Sequence, residues 1–207
     1  MEEKINIILL GNSEVGKTSF ILRYTEDFFQ PIYLTTIGID FKVKNITFSN
    51  NKSYKLFFYD TTGQEKYKSI SLNLIKNSDG ILLMYDITKK KSFESITNWM
   101  ESIKDIKEES FPIVLVGNKT DLKDKREVQK EEGKEIATKY GIDFFEISNK
   151  DGINIEESCL SLVKKIIEYK EKNIELEKDD EYEINDKKTY NSENLKKTFK
   201  EKKKKCC

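Results

Sequence analysis

Histidine is absent from all 207 residues, cysteine occurs three times, proline and arginine twice each, and tryptophan once. Without histidine there is no Ser-His-Asp or Cys-His pair, no imidazole general base and no His-ligated zinc. Any catalysis therefore falls to carboxylates, hydroxyls, lysine, amides or a bound ion. Cys159 stands alone in an apolar helical pattern, while Cys206 and Cys207 stand together. That spacing makes no disulfide framework and fits a reducing compartment. No apolar run is long enough to cross a bilayer. Met1-Glu2-Glu3-Lys4, followed by the short run Ile5 to Leu10, lacks the cationic start and long apolar stretch of a signal peptide, so cytosolic synthesis is expected.

A surplus of either charge is also missing, with 37 Lys+Arg against 37 Asp+Glu, which argues against nucleic acid as a partner. The balance conceals a segregation. Residues 1–172 carry 27 basic and 28 acidic groups, residues 173–186 carry one and seven, and residues 187–207 carry nine and two. The first segment holds nearly all the apolar content. The remainder is too poor in apolar residues to offset its ordering entropy, so residues 173–207 are expected to form a disordered tail behind a globular domain over 1–172.

Within that domain, short apolar runs alternate with amphipathic stretches. Residues 5–10, 81–85, 113–116 and 144–147 have the length and composition of strands buried on both faces, as in a parallel sheet. Phe93, Ile96, Met100 and Ile103 step by three and four after a candidate N-cap at Ser92, and Ile155, Cys159, Leu162 and Ile166 do likewise. The polar cluster 49–52 between two strand-like runs predicts a hairpin and hence one antiparallel strand. The alternation implies an α/β layered fold, with ligands at the carboxyl ends of the strands.

Gly11-Asn12-Ser13-Glu14-Val15-Gly16-Lys17-Thr18 satisfies G-x-x-x-x-G-K-[ST] between the first strand and a helical stretch that begins at Ser19. Gly11 permits the tight turn, and Gly16 lets the backbone approach a phosphate. The N–H groups of residues 14–18, flanked by Ser13 and Ser19, point into an anion site at a helix N-terminus. Lys17 would neutralise the β- and γ-phosphates, and Thr18 would offer a hydroxyl to Mg²⁺, an ion that favours phosphate oxygens and few protein ligands. Asn118-Lys119-Thr120-Asp121 follows another buried strand. Alone it could be a polar loop; in register with the phosphate loop it reads as a guanine site, because Asp121 can accept from N1–H and the exocyclic amine together. Asp60-Thr61-Thr62-Gly63-Gln64 lies past a third strand, where Asp60 can hold Mg²⁺, Gly63 can offer its N–H to a γ-phosphate and Gln64 can orient an attacking water.

Together these segments resemble a small GTPase of the Ras superfamily. Thr35-Thr36-Ile37-Gly38-Ile39-Asp40-Phe41, Leu83-Met84-Tyr85-Asp86-Ile87-Thr88 and Asp124-Lys125-Arg126-Glu127-Val128 resemble the Rab family in particular. The likeness implies a P-loop GTPase fold: six strands, mostly parallel with one antiparallel, and helices on both faces. It implies that Thr36 closes over the γ-phosphate and Mg²⁺, that Phe29 packs against guanine and that Tyr33 covers the phosphates. Within Ser148-Asn149-Lys150, the middle residue would give its backbone N–H to the guanine carbonyl. The expected catalytic set is then Gln64, Lys17, Thr36 and Gly63, and the expected metal ligands are Thr18, Thr36 and Asp60. The likeness further implies a monomer that hydrolyses GTP to GDP and phosphate and regulates vesicle trafficking through effectors. An exchange factor, a GTPase-activating protein, a GDP-dissociation inhibitor and an escort protein would serve it. Cys206 and Cys207 would carry geranylgeranyl groups that anchor it to the cytoplasmic face of an intracellular membrane, alongside a cytosolic pool. Two lipid chains hold where one does not, and Lys202 to Lys205 add attraction to anionic lipid.

Several positions depart from the pattern: Thr62 and Asn149 stand where the family has alanine, Glu14 where it has a small residue, Tyr59 where Rabs have Trp, and Leu74-Ile75-Lys76-Asn77-Ser78 where the family has Tyr-Tyr-Arg-Gly-Ala. Glu14 would repel phosphate unless it points to solvent, and Asn149 is expected to matter least because its contact is made by the backbone. Arg23 and Arg126 are the only arginines, and neither adjoins the phosphate loop or the segments around Thr36 and Gln64 in sequence. Unaided turnover should therefore be slow, with the charge-stabilising arginine supplied in trans. The competing readings are an adaptor that retains GTP, supported by Thr62 and Glu14, and a metabolic P-loop kinase, disfavoured by Gln64 and the guanine loop.

Overall fold

A computed structural model describes residues 3–29, 39–48, 51–61 and 68–174. The chain divides into one compact unit, Met1–Ile166, and a second, Ile167–Cys207. In the second unit, residues 167–174 are described and are helical. The expected tail from 175 onward, with Cys206 and Cys207, lies outside the described residues, as do Tyr33, Thr36, Thr62, Gly63 and Gln64.

Six strands form one sheet: β1 Glu3–Leu10, β2 Ile39–Thr47, β3 Ser53–Thr61, β4 Gly80–Asp86, β5 Ile113–Asn118 and β6 Asp143–Glu146. Their spatial order is β2-β3-β1-β4-β5-β6. Every pair is parallel except β2 with β3. All residues of β4 and β5 are buried, which requires cover on both faces of the sheet and explains their unbroken apolar composition. The β3 strand instead alternates between buried Tyr54, Leu56 and Phe58 and part-exposed neighbours. This is the period-2 signature of a strand with one wetter face.

The helices are α1 Lys17–Glu26, α2 Lys68–Asn77, α3 Lys90–Lys104, α4 Lys130–Tyr140 and, within the first unit, α5 over residues 155–166. Helix α1 packs on β2 and β3, α2 on β1, α3 on β4, and α4 on β5 and β6. The α1 stripe of Phe20, Ile21 and Tyr24 is buried, with the Tyr24 ring edge-on to Phe58 at 5.3 Å. Ile155, Cys159, Leu162, Val163 and Ile166 are buried along α5, so Cys159 is a core residue, its thiol pushed up to about 12 by burial.

Ser92 does not cap α3 as its sequence position suggests. The helix starts two residues earlier with Lys89 at the N-cap, and no side chain caps it. Ser92 sits inside the first turn, where its hydroxyl donates to the Lys89 carbonyl at 2.7 Å and accepts from the Asp86 N–H at 3.0 Å. It fastens the end of β4 to the start of α3 rather than terminating the helix.

Candidate functional site

The carboxyl ends of β1, β3, β4 and β5 bring the three motif segments together. After β1 the chain turns at Gly11, with φ 136°, and enters α1 through Gly16, with φ 99°. A Cβ on Gly11 would lie 2.1 Å from the Met84 carbonyl oxygen, and one on Gly16 would lie 2.3 Å from Asn118 Nδ2. Both positions therefore exclude any side chain, on backbone angle and on space. Gly16 is also the N-cap of α1 and offers no side chain to satisfy the first-turn N–H groups. Those donors remain directed at whatever sits ahead of the helix, which is the arrangement that holds an anion.

Lys17 folds back along this loop, its Nζ donating to the Gly11 and Asn12 carbonyls at 2.9 Å each. Burial pushes its pKa down to about 8, and the Asp60 carboxylate partly counters the shift. Thr18 Oγ1 donates to Asp60 Oδ2 at 2.5 Å, uniting the start of α1 with the end of β3. A hydroxyl and a buried carboxylate side by side are hard oxygen donors. Among the described residues no three His, Cys, Asp or Glu side chains gather into a metal cage. The two donors thus fit an ion that takes its other ligands from phosphate and water, as Mg²⁺ does. Ser13 and Ser19 are part-exposed and Val15 is buried. Glu14 has φ 65° and turns its half-exposed carboxylate to Lys89 Nζ at 2.5 Å, and that contact lowers its pKa. The carboxylate is thus paired with a cation at the head of α3.

The segments expected to read the base are hydrogen-bonded to the same loop. Asn118 is buried; its Nδ2 donates to the Val15 carbonyl at 2.8 Å, and its Oδ1 accepts the Asn149 N–H at 3.3 Å. Lys119, with φ 73°, is held by the fully buried Asp86 at 2.7 Å, whose other oxygen accepts from the Thr88 N–H and hydroxyl. Asp121 Oδ1 accepts from Ser148 Oγ at 2.9 Å, which orients the carboxylate expected to read guanine. Lys150 is exposed, and its carbonyl accepts from Arg23 Nη2 at 2.7 Å. Phe29 is half-buried just past α1.

Three groups that the sequence did not reveal complete the frame. Asn12 donates to Ser95 Oγ at 2.9 Å and accepts from Trp99 Nε1 at 3.1 Å, pinning the phosphate loop to α3. Asp86, visible in sequence only as part of a familiar segment, positions Lys119. Arg23 grips the Asn149 and Lys150 carbonyls from 126 and 127 residues away, a pairing that no local pattern signals. Arg126 makes a two-point pair with Glu146, at 2.5 and 3.1 Å, at the end of β6. Both arginines of the chain are engaged in holding this framework.

The comparisons with known proteins agree with this arrangement. The family model described as "Ras family" matches residues 6–168. Human Ras-related protein Rab-3A is 44% identical over 162 residues, 78% of this chain and 73% of its own length. Bovine Ras-related protein Rab-13 is 44% identical over 161 residues, 78% of this chain and 79% of its own. Human Ras-related protein Rab-3D is 42% identical over 169 residues, 82% of this chain and 77% of its own. With the phosphate loop, the base-recognition loops and the sheet order all in one unit, this chain belongs to the Rab branch of the Ras family of small GTPases.

Proposed function

We propose that the protein is a membrane-attached GTP/GDP switch in vesicle trafficking, built from a GTPase domain over 1–172 and a tail over 173–207. The observation that supports the nucleotide assignment is the set of side-chain hydrogen bonds joining Asn118 and Asn149 to the phosphate loop, because they tie the segments read as guanine-binding to the segment read as phosphate-binding. Phosphates lie against the N–H groups ahead of α1 and the Lys17 ammonium, and Asp121 accepts from the guanine edge. Thr18, Asp60 and Thr36 would hold Mg²⁺, which would supply charge neutralisation at the phosphates. Gln64 orients the attacking water, and Gly63 and Thr36 contact the γ-phosphate, so that loss of that phosphate releases both segments. Effectors read the GTP state, an exchange factor reloads it, and a GDP-dissociation inhibitor and an escort protein handle the lipidated form. Geranylgeranyl groups on Cys206 and Cys207 anchor the chain, and the protein acts as a monomer on the cytoplasmic face of an intracellular membrane.

Neither arginine of the chain is spare, so the arginine that stabilises transition-state charge comes from an activating protein, where such a group is worth roughly 10³–10⁵ in rate. The GTP-retaining alternative loses one of its two supports, since Glu14 pairs with Lys89. Single-turnover hydrolysis followed by chromatography of the bound nucleotide tests the assignment. Purified protein should convert GTP to GDP slowly, and Gln64→Leu should retain GTP. Undiminished hydrolysis in Gln64→Leu removes the role given to Gln64, and fast, activator-insensitive turnover of the wild type removes the need for an arginine in trans.

A further inference from the structure

The side chain of Asn149 occupies a position where the resemblance led us to expect alanine and no side-chain role. It is 3% exposed, and its Nδ2 donates to the Gly16 carbonyl at 2.8 Å. The next carbonyl back, that of Val15, accepts from Asn118 Nδ2 at the same distance. Two amides, one at the end of β5 and one past β6, thus hold two successive carbonyls of the phosphate loop. A trans peptide is planar, with its N–H opposed to its C=O, and none of the described peptides is cis. Fixing the Val15 carbonyl therefore aims the Gly16 N–H, and fixing the Gly16 carbonyl aims the Lys17 N–H. Both donors stand at the head of α1.

Asn149 is itself held at two further points. Its N–H donates to Asn118 Oδ1 at 3.3 Å, and its carbonyl accepts from Arg23 Nε at 2.8 Å. Its Nδ2 lies close enough that a Cβ on Gly16 would meet it at 2.9 Å. The amide is not space filling, because its Oδ1 is buried without a hydrogen-bond partner among the described residues. A buried, unpartnered acceptor costs stability that a methyl group would not.

We propose that Asn149 is a positioning residue for the phosphate half of the site: its side-chain amide orients the Lys17 N–H toward the nucleotide phosphates, a role separate from the backbone N–H expected to meet guanine. This rests on the nucleotide reading above. The test uses the full chain stripped of nucleotide, with GDP and guanosine as probes titrated into wild type, Asn149→Ala and Asn149→Leu. The leucine variant keeps the volume but not the donor, so the comparison survives if the alanine variant fails to fold. The expected result is a loss of about three- to tenfold in GDP affinity, the worth of one hydrogen bond, with guanosine affinity unchanged. Equal losses for GDP and guanosine would show that the side chain acts only on the base loop and would overturn the proposal, as would no loss for either. A wild type that binds neither probe overturns the nucleotide reading itself.

Discussion

At the residue scale, Lys17 is the group whose chemistry the empty and loaded states should separate most sharply. Its ammonium is buried against two carbonyls, and its pKa falls from 10.5 to about 8. Between those values the folded chain binds fewer protons than the unfolded one. Lys17 therefore costs stability in full below pH 8, and that cost is relieved as pH rises from 8 toward 10.5. A bound phosphate favours the charged form and restores the proton. At pH 9, GDP binding should take up a proton, approaching about one per site, and at pH 7 almost none. Calorimetry in two buffers of different ionisation enthalpy measures this, and equal uptake at both values would count against a neutral Lys17 in the empty protein.

At the scale of elements, the phosphate loop is braced sideways against α3 as well as forward against the base loops. Asn12 joins Trp99 and Ser95, and Glu14 joins Lys89. The Glu14 contact has both members about half exposed, so its intrinsic worth is small, and its effect lies in where it keeps a negative charge. Lys89→Glu should speed GDP release by roughly two- to fivefold. Exchanging the two, as Glu14→Lys with Lys89→Glu, should return it toward wild type, and added salt should narrow the difference. Release rates that do not respond to Lys89→Glu would show that the Glu14 carboxylate has no influence on bound phosphate. The strands and the phosphate loop were legible in sequence because burial on both faces and the tight glycine turn leave local signatures. The braces were not, since Asn12 to Trp99 and Arg23 to Asn149 join residues 87 and 126 positions apart through polar side chains that no periodicity marks. The side chain of Asn149 is illegible for a related reason: a resemblance implies a backbone role there, whereas the reach of the amide to Gly16 depends on the fold. Ser92 misled because its hydroxyl can bond backbone groups inside a first turn as readily as ahead of one.

At the scale of the whole molecule, the nucleotide unit and the basic, cysteine-bearing end make separate claims. No described helix is long and apolar enough to cross a membrane, so attachment in the proposed scheme depends on lipid at Cys206 and Cys207. Cys206→Ser with Cys207→Ser should shift the protein from membrane to soluble fractions while leaving GDP affinity as it was. An unchanged distribution would eliminate the lipid anchor.

The β2–β3 pairing carries one more consequence. Ile39 lies opposite Thr61, and Asp40 opposite Asp60. The chain before Ile39 and the chain after Thr61 hold Thr36 and Gln64, so the two segments proposed to sense the γ-phosphate are rooted on one rung of one ladder, strands about 4.8 Å apart. A protein docking across those roots meets both at once. Such a partner would be a coincidence reader, scoring the two segments together, and a change that loosens either one should lower its affinity.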